Sequence, residues 1–127
     1  MHDMGCFYIG LEVENVAHRG VRRAVGRVLV DTGSEHTWLP GVLLDELGVA
    51  REYDASFVMA DGRTIERGIG CAIVHVNRRR TVDDIVFGEA GDLPLLGARS
   101  LEGLNLLVDA TAKRLVSAGP FHAASAA

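Results

Sequence analysis

Apolar residues in this chain gather in short stretches that turn-forming residues interrupt at close intervals, a rhythm that suits strands and leaves little room for long helices. Residues 7–13 alternate as Phe-Tyr-Ile-Gly-Leu-Glu-Val, and residues 21–30 return as a second strand ending in Val28-Leu29-Val30. Ala17-His18-Arg19-Gly20 is the expected turn between them. Residues 56–60 read as a strand running into Asp61-Gly62, a favoured two-residue hairpin turn. Residues 64–76 and 81–87 pair through Asn77-Arg78-Arg79, and 105–108 with 114–116 form a last hairpin. Pro40 introduces a helical turn over 41–47, with Val42, Leu43, Leu44 and Leu47 on one side and Gly48 as its stop. Residues 98–104 read as a short helix with Gly103 near its end. The expectation is a mainly β fold, one domain over residues 4–118, with a flexible, small-residue-rich tail over 119–127.

A chain of 127 residues buries roughly two-thirds of its unfolded surface, enough for a core without metals or disulfides. Its net charge of -4 gives no general basic footprint for nucleic acid. The two cysteines, Cys6 and Cys71, are too few for a disulfide framework, and no spaced Cys/His set would hold a structural zinc. Met1-His2-Asp3-Met4-Gly5 lacks the charged and apolar regions of a signal peptide. No apolar run approaches the roughly 18 residues of a membrane span. The expected location is the cytoplasm, with no membrane partner and no metal or organic cofactor.

The stretch that carries chemistry is Val28-Leu29-Val30-Asp31-Thr32-Gly33-Ser34. It sets a carboxylate at the end of an apolar strand and just before a glycine, where neighbouring backbone N–H groups can hold it. Gly33 would let a second chain or a substrate backbone come close, and Thr32 could hydrogen-bond across a two-fold axis. Asp-Thr-Gly is also ordinary turn chemistry, so the tripeptide alone is ambiguous. Its distant companion is Leu93-Pro94-Leu95-Leu96-Gly97, followed by the short helix and Leu104-Asn105-Leu106-Leu107-Val108-Asp109.

With these two motifs, Asp31 and Gly97 about 66 positions apart, the chain resembles the retroviral-type (retropepsin-like) aspartic proteases, as a single-domain member of bacterial type. The resemblance spans residues 7–116. It implies a closed acid-protease β-barrel lobe with one short helix, working as a homodimer on an extended polypeptide. Peptide hydrolysis of this class needs two carboxylates that share a proton, one as base toward water and one as acid. The sequence holds a single Asp-Thr-Gly: Asp61-Gly62 lacks the middle residue, and Asp109-Ala110-Thr111 lacks the glycine. A two-fold dimer would supply the second half.

By the same resemblance Asp31 is catalytic, with Thr32, Gly33 and Ser34 supporting its loop and Ser34 bonding the outer oxygen of Asp31. Gly33, Glu35, Trp38, Asp61, Gly62 and Leu95 would contact substrate, the Asp61-Gly62 hairpin as a covering flap. Retroviral members place an arginine directly after the second motif's glycine. Here Ala98 stands there and Arg99 follows, so the ion pairs of that arginine are expected to be absent or rearranged.

Other readings weigh less. His36 beside Ser34 does not make a hydrolase triad, and Asp31, Glu35 and His36 lack a second histidine at metal-ligand spacing. His75 reads as structural and Arg78-Arg79-Arg80 as a solvated hairpin tip. The alternative from another class is a non-catalytic dimerisation or peptide-binding module on the same fold.

Overall fold

The computed structural model describes residues 6–121 and 123. The expected domain start at residue 4 and tail residues 122 and 124–127 lie outside those residues. Among the described residues nine strands and two six-residue helices follow in the order β1 (Tyr8–Asn15), β2 (His18–Val30), β3 (Thr37–Pro40), α1 (Gly41–Glu46), β4 (Tyr53–Val58), β5 (Thr64–Val76), β6 (Arg79–Gly88), β7 (Leu95–Leu96), α2 (Ala98–Gly103), β8 (Leu106–Asp109) and β9 (Arg114–Ser117). Neither helix is long or apolar enough to cross a membrane.

One sheet runs β1-β2-β7-β3-β6-β5-β4, and β1 also pairs with β5. That extra pairing, Glu12–Asn15 against 72–75, closes six of the strands into a barrel. The remaining strand, β4, lies along residues 64–69 of β5 as a hairpin projecting from the ring. β8 and β9 form a separate two-stranded sheet. The closed ring encloses one apolar core that includes Val13, Val28, Leu39, Leu44, Val74, Ile85, Phe87 and Leu96. A second cluster of Trp38, Ile69 and Val86, with Phe57, Met59, Ile65 and Leu95 against it, fills the space beneath the β4–β5 hairpin.

The expected elements are present, and their ends shift for local physical reasons. The β1–β2 turn falls on Val16-Ala17, so Gly20 lies within β2, at φ +103 beside a register shift. The Glu14 carboxylate, which accepts from the Gly20 amide at 2.6 Å, fixes that irregularity. The β4–β5 connection has three residues rather than two: Met59 N–H donates to the Arg63 carbonyl, and Gly62 takes φ +87. Both helical turns are complete helices. Gly48, at φ +78, ends α1 with its amide bonded to Asp45 and that of Val49 to Leu44. At the end of α2 the left-handed residue is Asn105, at φ +56. Gly103 instead makes room for Thr81, against whose side chain any Cβ would collide.

Candidate active site

β2 delivers Asp31 to the site. Its last residues lie parallel to β7, Leu29 beside Leu95 and Val30 beside Leu96. The Asp31 amide donates to the Leu96 carbonyl at 3.0 Å, carrying the pairing one residue past the strand. There the chain turns: Ser34 N–H reaches back to the Asp31 carbonyl at 3.2 Å, and Gly33 N–H donates to Asp31 Oδ1 at 2.9 Å. The carboxylate is half-buried, one oxygen held by backbone and the group aimed out of the barrel.

The second motif holds this turn in place. Ala98 N–H donates to the Ser34 carbonyl at 2.8 Å and Arg99 N–H to that of Glu35 at 3.1 Å. Gly97 sits so close beneath the loop that a Cβ would run into the carbonyl oxygens of His36 and Ser34. Below lies a buried polar chain. Gly97 N–H donates to Thr37 Oγ1 at 3.0 Å, Thr37 to Ser100 Oγ at 2.6 Å, and Ser100 to Asp83 Oδ2 at 2.8 Å. A buried hydroxyl without a partner is costly, so these links tie the loop, α2 and β6 into one rigid support.

A groove of about 900 Å³ opens above the carboxylate, between the loop and the β4–β5 hairpin. Of the residues singled out in the sequence, Asp31, Gly33, Ser34, Glu35, Trp38 and Leu95 line it. Thr32 is exposed beside it. Asp61 and Gly62 stand at the exposed hairpin tip and off the groove wall, which that hairpin supplies through residues 56–60 and Arg63. Asp61 is committed to its own turn: Arg63 donates to it from backbone N–H at 2.9 Å and from Nε at 2.7 Å. The Arg63 amide first, and its guanidinium second, hold that carboxyl below the usual range. The Ser34 hydroxyl donates to the His36 carbonyl at 2.8 Å rather than to Asp31, because the turn brings that carbonyl within reach. Trp38 serves both core and groove: 7% exposed, it packs edge-on against Phe57 with ring centroids 5.0 Å apart.

Three features lie beyond what the motifs signalled. His36 lines the groove, edge-on to Phe57, and its Nε2 lies 3.2 Å from Arg99 Nη1. Arg99 also approaches Asp83 at 3.5 Å and Asp84 at 3.8 Å, so its ion pairs are made within its own chain. Arg67 on β5 grips Asp92 with two bonds of 2.7 and 3.1 Å, pinning the segment before β7 to the stem of the hairpin. The guanidinium holds the Asp92 carboxyl low, and the carboxylate raises Arg67. Nothing in the spacing of Arg67 and Asp92 announces this pair. Among the described residues no three His, Cys, Asp or Glu side chains are gathered as a metal-ligand set.

No family model matches the chain, and none of the curated proteins does. Solved structures do match. The solution structure of the simian foamy virus (mac) protease aligns with a TM-score of 0.51 and 14% identity, covering 76% of this chain and 92% of the viral one. At that identity the likeness speaks for the backbone and does not extend to a bacterial type of member. The chain therefore has a mainly β, retropepsin-like fold, with Asp31-Thr32-Gly33 at the end of β2, below its principal hairpin.

Proposed function

We infer that the protein is an aspartic endopeptidase that hydrolyses an extended polypeptide with water activated by Asp31 and its copy in a two-fold homodimer. The observation that carries this reading is the placement of Asp31. It is an anchored, outward-facing carboxylate at the floor of a groove of about 900 Å³, with apolar walls from Trp38, Phe57 and Leu95. A purely binding module has no use for a carboxylate held in that way.

Each chain carries one such group, so the chemistry calls for two chains. Two carboxylates roughly 3 Å apart cannot both ionise easily and hold one proton between them. The ionised member takes a proton from water as it attacks the scissile carbonyl, while the protonated member gives its proton to the carbonyl oxygen; on collapse the first passes its proton to the leaving amine and the second takes back that of the gem-diol hydroxyl. Thr32 and Gly33, exposed beside Asp31, are the residues a second copy would meet first. The extended substrate would lie between the loop and the β4–β5 hairpin, with Glu35, Trp38 and Leu95 against its backbone and side chains. Asp61 and Gly62 would act at one remove, by shaping the hairpin that covers it. The free thiols of Cys6 and Cys71 suit a reducing compartment such as the cytoplasm.

The decisive experiment compares parent and Asp31→Asn protein on a denatured proteome at mildly acidic pH, alongside their thermal melts and sedimentation. The variant is expected to fold and sediment as the parent does and to lose about a thousandfold or more in cleavage rate. Equal cleavage by both proteins would remove Asp31 from the chemistry. Absence of cleavage by a folded parent dimer would favour the binding module instead.

A further inference from the structure

A second groove, of about 560 Å³, shares no lining residue with the one at Asp31. It lies on the outer face of four adjacent strands, where Ala24, Glu12, His75 and Arg80 sit side by side across β2, β1, β5 and β6. Gly10 and Gly26 leave one end of its wall without side chains, and a Cβ on Gly26 would meet nothing within 4 Å. Arg22 lines the β2 side, held 3.2 Å from Glu12. Arg78 and Arg80 line the other side and make no ion pair among the described residues.

Three cations, Arg22, Arg78 and Arg80, line the groove against one carboxylate, Glu12, in a chain that is net acidic. The tight β5–β6 turn carries Arg78, with Asn77 at φ +50 and Arg78 itself at φ +69. Of Arg78, Arg79 and Arg80 only one is diverted inward: Arg79 donates to the carbonyls of Leu104 and Asn105 and so caps α2.

We propose that this groove is a docking site for an extended, acidic polypeptide segment, separate from the site at Asp31. An extended peptide can lie in the groove across β1, and its carboxylates can pair with Arg78 and Arg80. Nucleic acid fits less well. No Phe, Tyr or Trp side chain lines the groove to stack a base, and the Glu12 carboxylate can accept from backbone N–H groups, which a phosphodiester backbone lacks. Glu12 and His75 also favour a peptide with a polar donor at the middle of the segment.

The test uses the full chain carrying Asp31→Asn, so that binding is read without cleavage and is independent of the peptidase assignment. A fluorescein-labelled decapeptide of alternating Glu and Ser is titrated by anisotropy at low and at physiological salt. Binding that weakens with salt is expected, and reversal by Arg78→Glu with Arg80→Glu should reduce it about tenfold. Gly26→Leu fills the groove without touching the core and should reduce it as well, with an unchanged melting temperature. Lys113→Glu with Arg114→Glu changes net charge equally in the β8–β9 hairpin and should leave binding intact. The proposal fails if the control weakens binding as much as the Arg78/Arg80 reversal does. It fails equally if neither groove variant has an effect, if no peptide binding is seen, or if single-stranded DNA of equal charge binds more tightly than the peptide.

Discussion

Gly97 is a glycine because of what lies above it. Its φ of -94 is open to any residue, but a side chain there would displace the carbonyls of His36 and Ser34 that shape the Asp31 loop. Gly97→Ala is therefore expected to cost about 1–3 kcal/mol by overpacking and to disturb the loop, so cleavage should fall by more than stability alone explains. Chemical denaturation and turnover of the same variant check this. The motif was legible in the sequence, whereas its physical reason depends on the 34–36 backbone, about 60 residues away in the chain, folding over it. The polar support beneath it was not legible at all: Thr37, Ser100 and Asp83 are ordinary residues until folding stacks them. Ser100→Ala would leave the Thr37 hydroxyl and an Asp83 oxygen without their partner, at about 1–3 kcal/mol by the same measurement. Glu14, a buried carboxylate near the end of β1, gives no signal of its role in the sequence either. The Gly20 amide, then Arg19 and His75, hold its carboxyl down to about 2, against 4.5 ordinarily. A carboxyl lowered in the folded state stabilises above its unfolded value, and that contribution drains away as pH falls from about 4.5 toward 2. Glu14→Gln should lose stability at neutral pH and show a flatter acid limb when denaturation midpoints are compared across that range.

A strand that buries one side of its pleat against the core is readable by its period of two. The β4–β5 hairpin shows this over Ala55, Phe57 and Met59, half-buried between exposed neighbours. What a single chain of letters does not disclose is which strand lies beside which. The β1–β5 pairing that closes the barrel joins segments about 60 residues apart, and hydrophobic alternation is silent about such partners. The Arg67–Asp92 grip is of the same kind. It connects β5 to the segment that carries Gly91, Asp92 and Leu93 along the groove wall, and the Glu89 amide donates to the same carboxylate at 2.7 Å. Arg67→Ala is expected to cost about 1.5–3 kcal/mol, the usual range for bonds to charged groups, and to loosen residues 89–92 locally. Hydrogen exchange at the Glu89 and Asp92 amides should quicken, and KM for a peptide should rise more than kcat falls. Exchange unchanged at both amides would mean that the segment is held by other contacts.

At the scale of the whole molecule, a closed barrel with one Asp-Thr-Gly holds one half of the proposed catalytic pair. The strand ring closes on itself around its own core, so the case for a second chain comes from the chemistry of sharing one proton between two carboxylates. That separation gives a test in which stability and activity part company. Asp31→Asn protein should fold and exchange subunits with the parent, yet each mixed dimer would hold one ionisable carboxyl where two are required. With the amount of parent fixed, adding an equal amount of the variant and allowing exchange should lower cleavage to about half, because half of the parent chains end in mixed pairs. A growing excess should take the rate toward zero. Chains that act singly would keep their full rate at every ratio, since an inactive neighbour could not touch them. The dependence of rate on mixing ratio thus reads whether Asp31 works alone or with its twin.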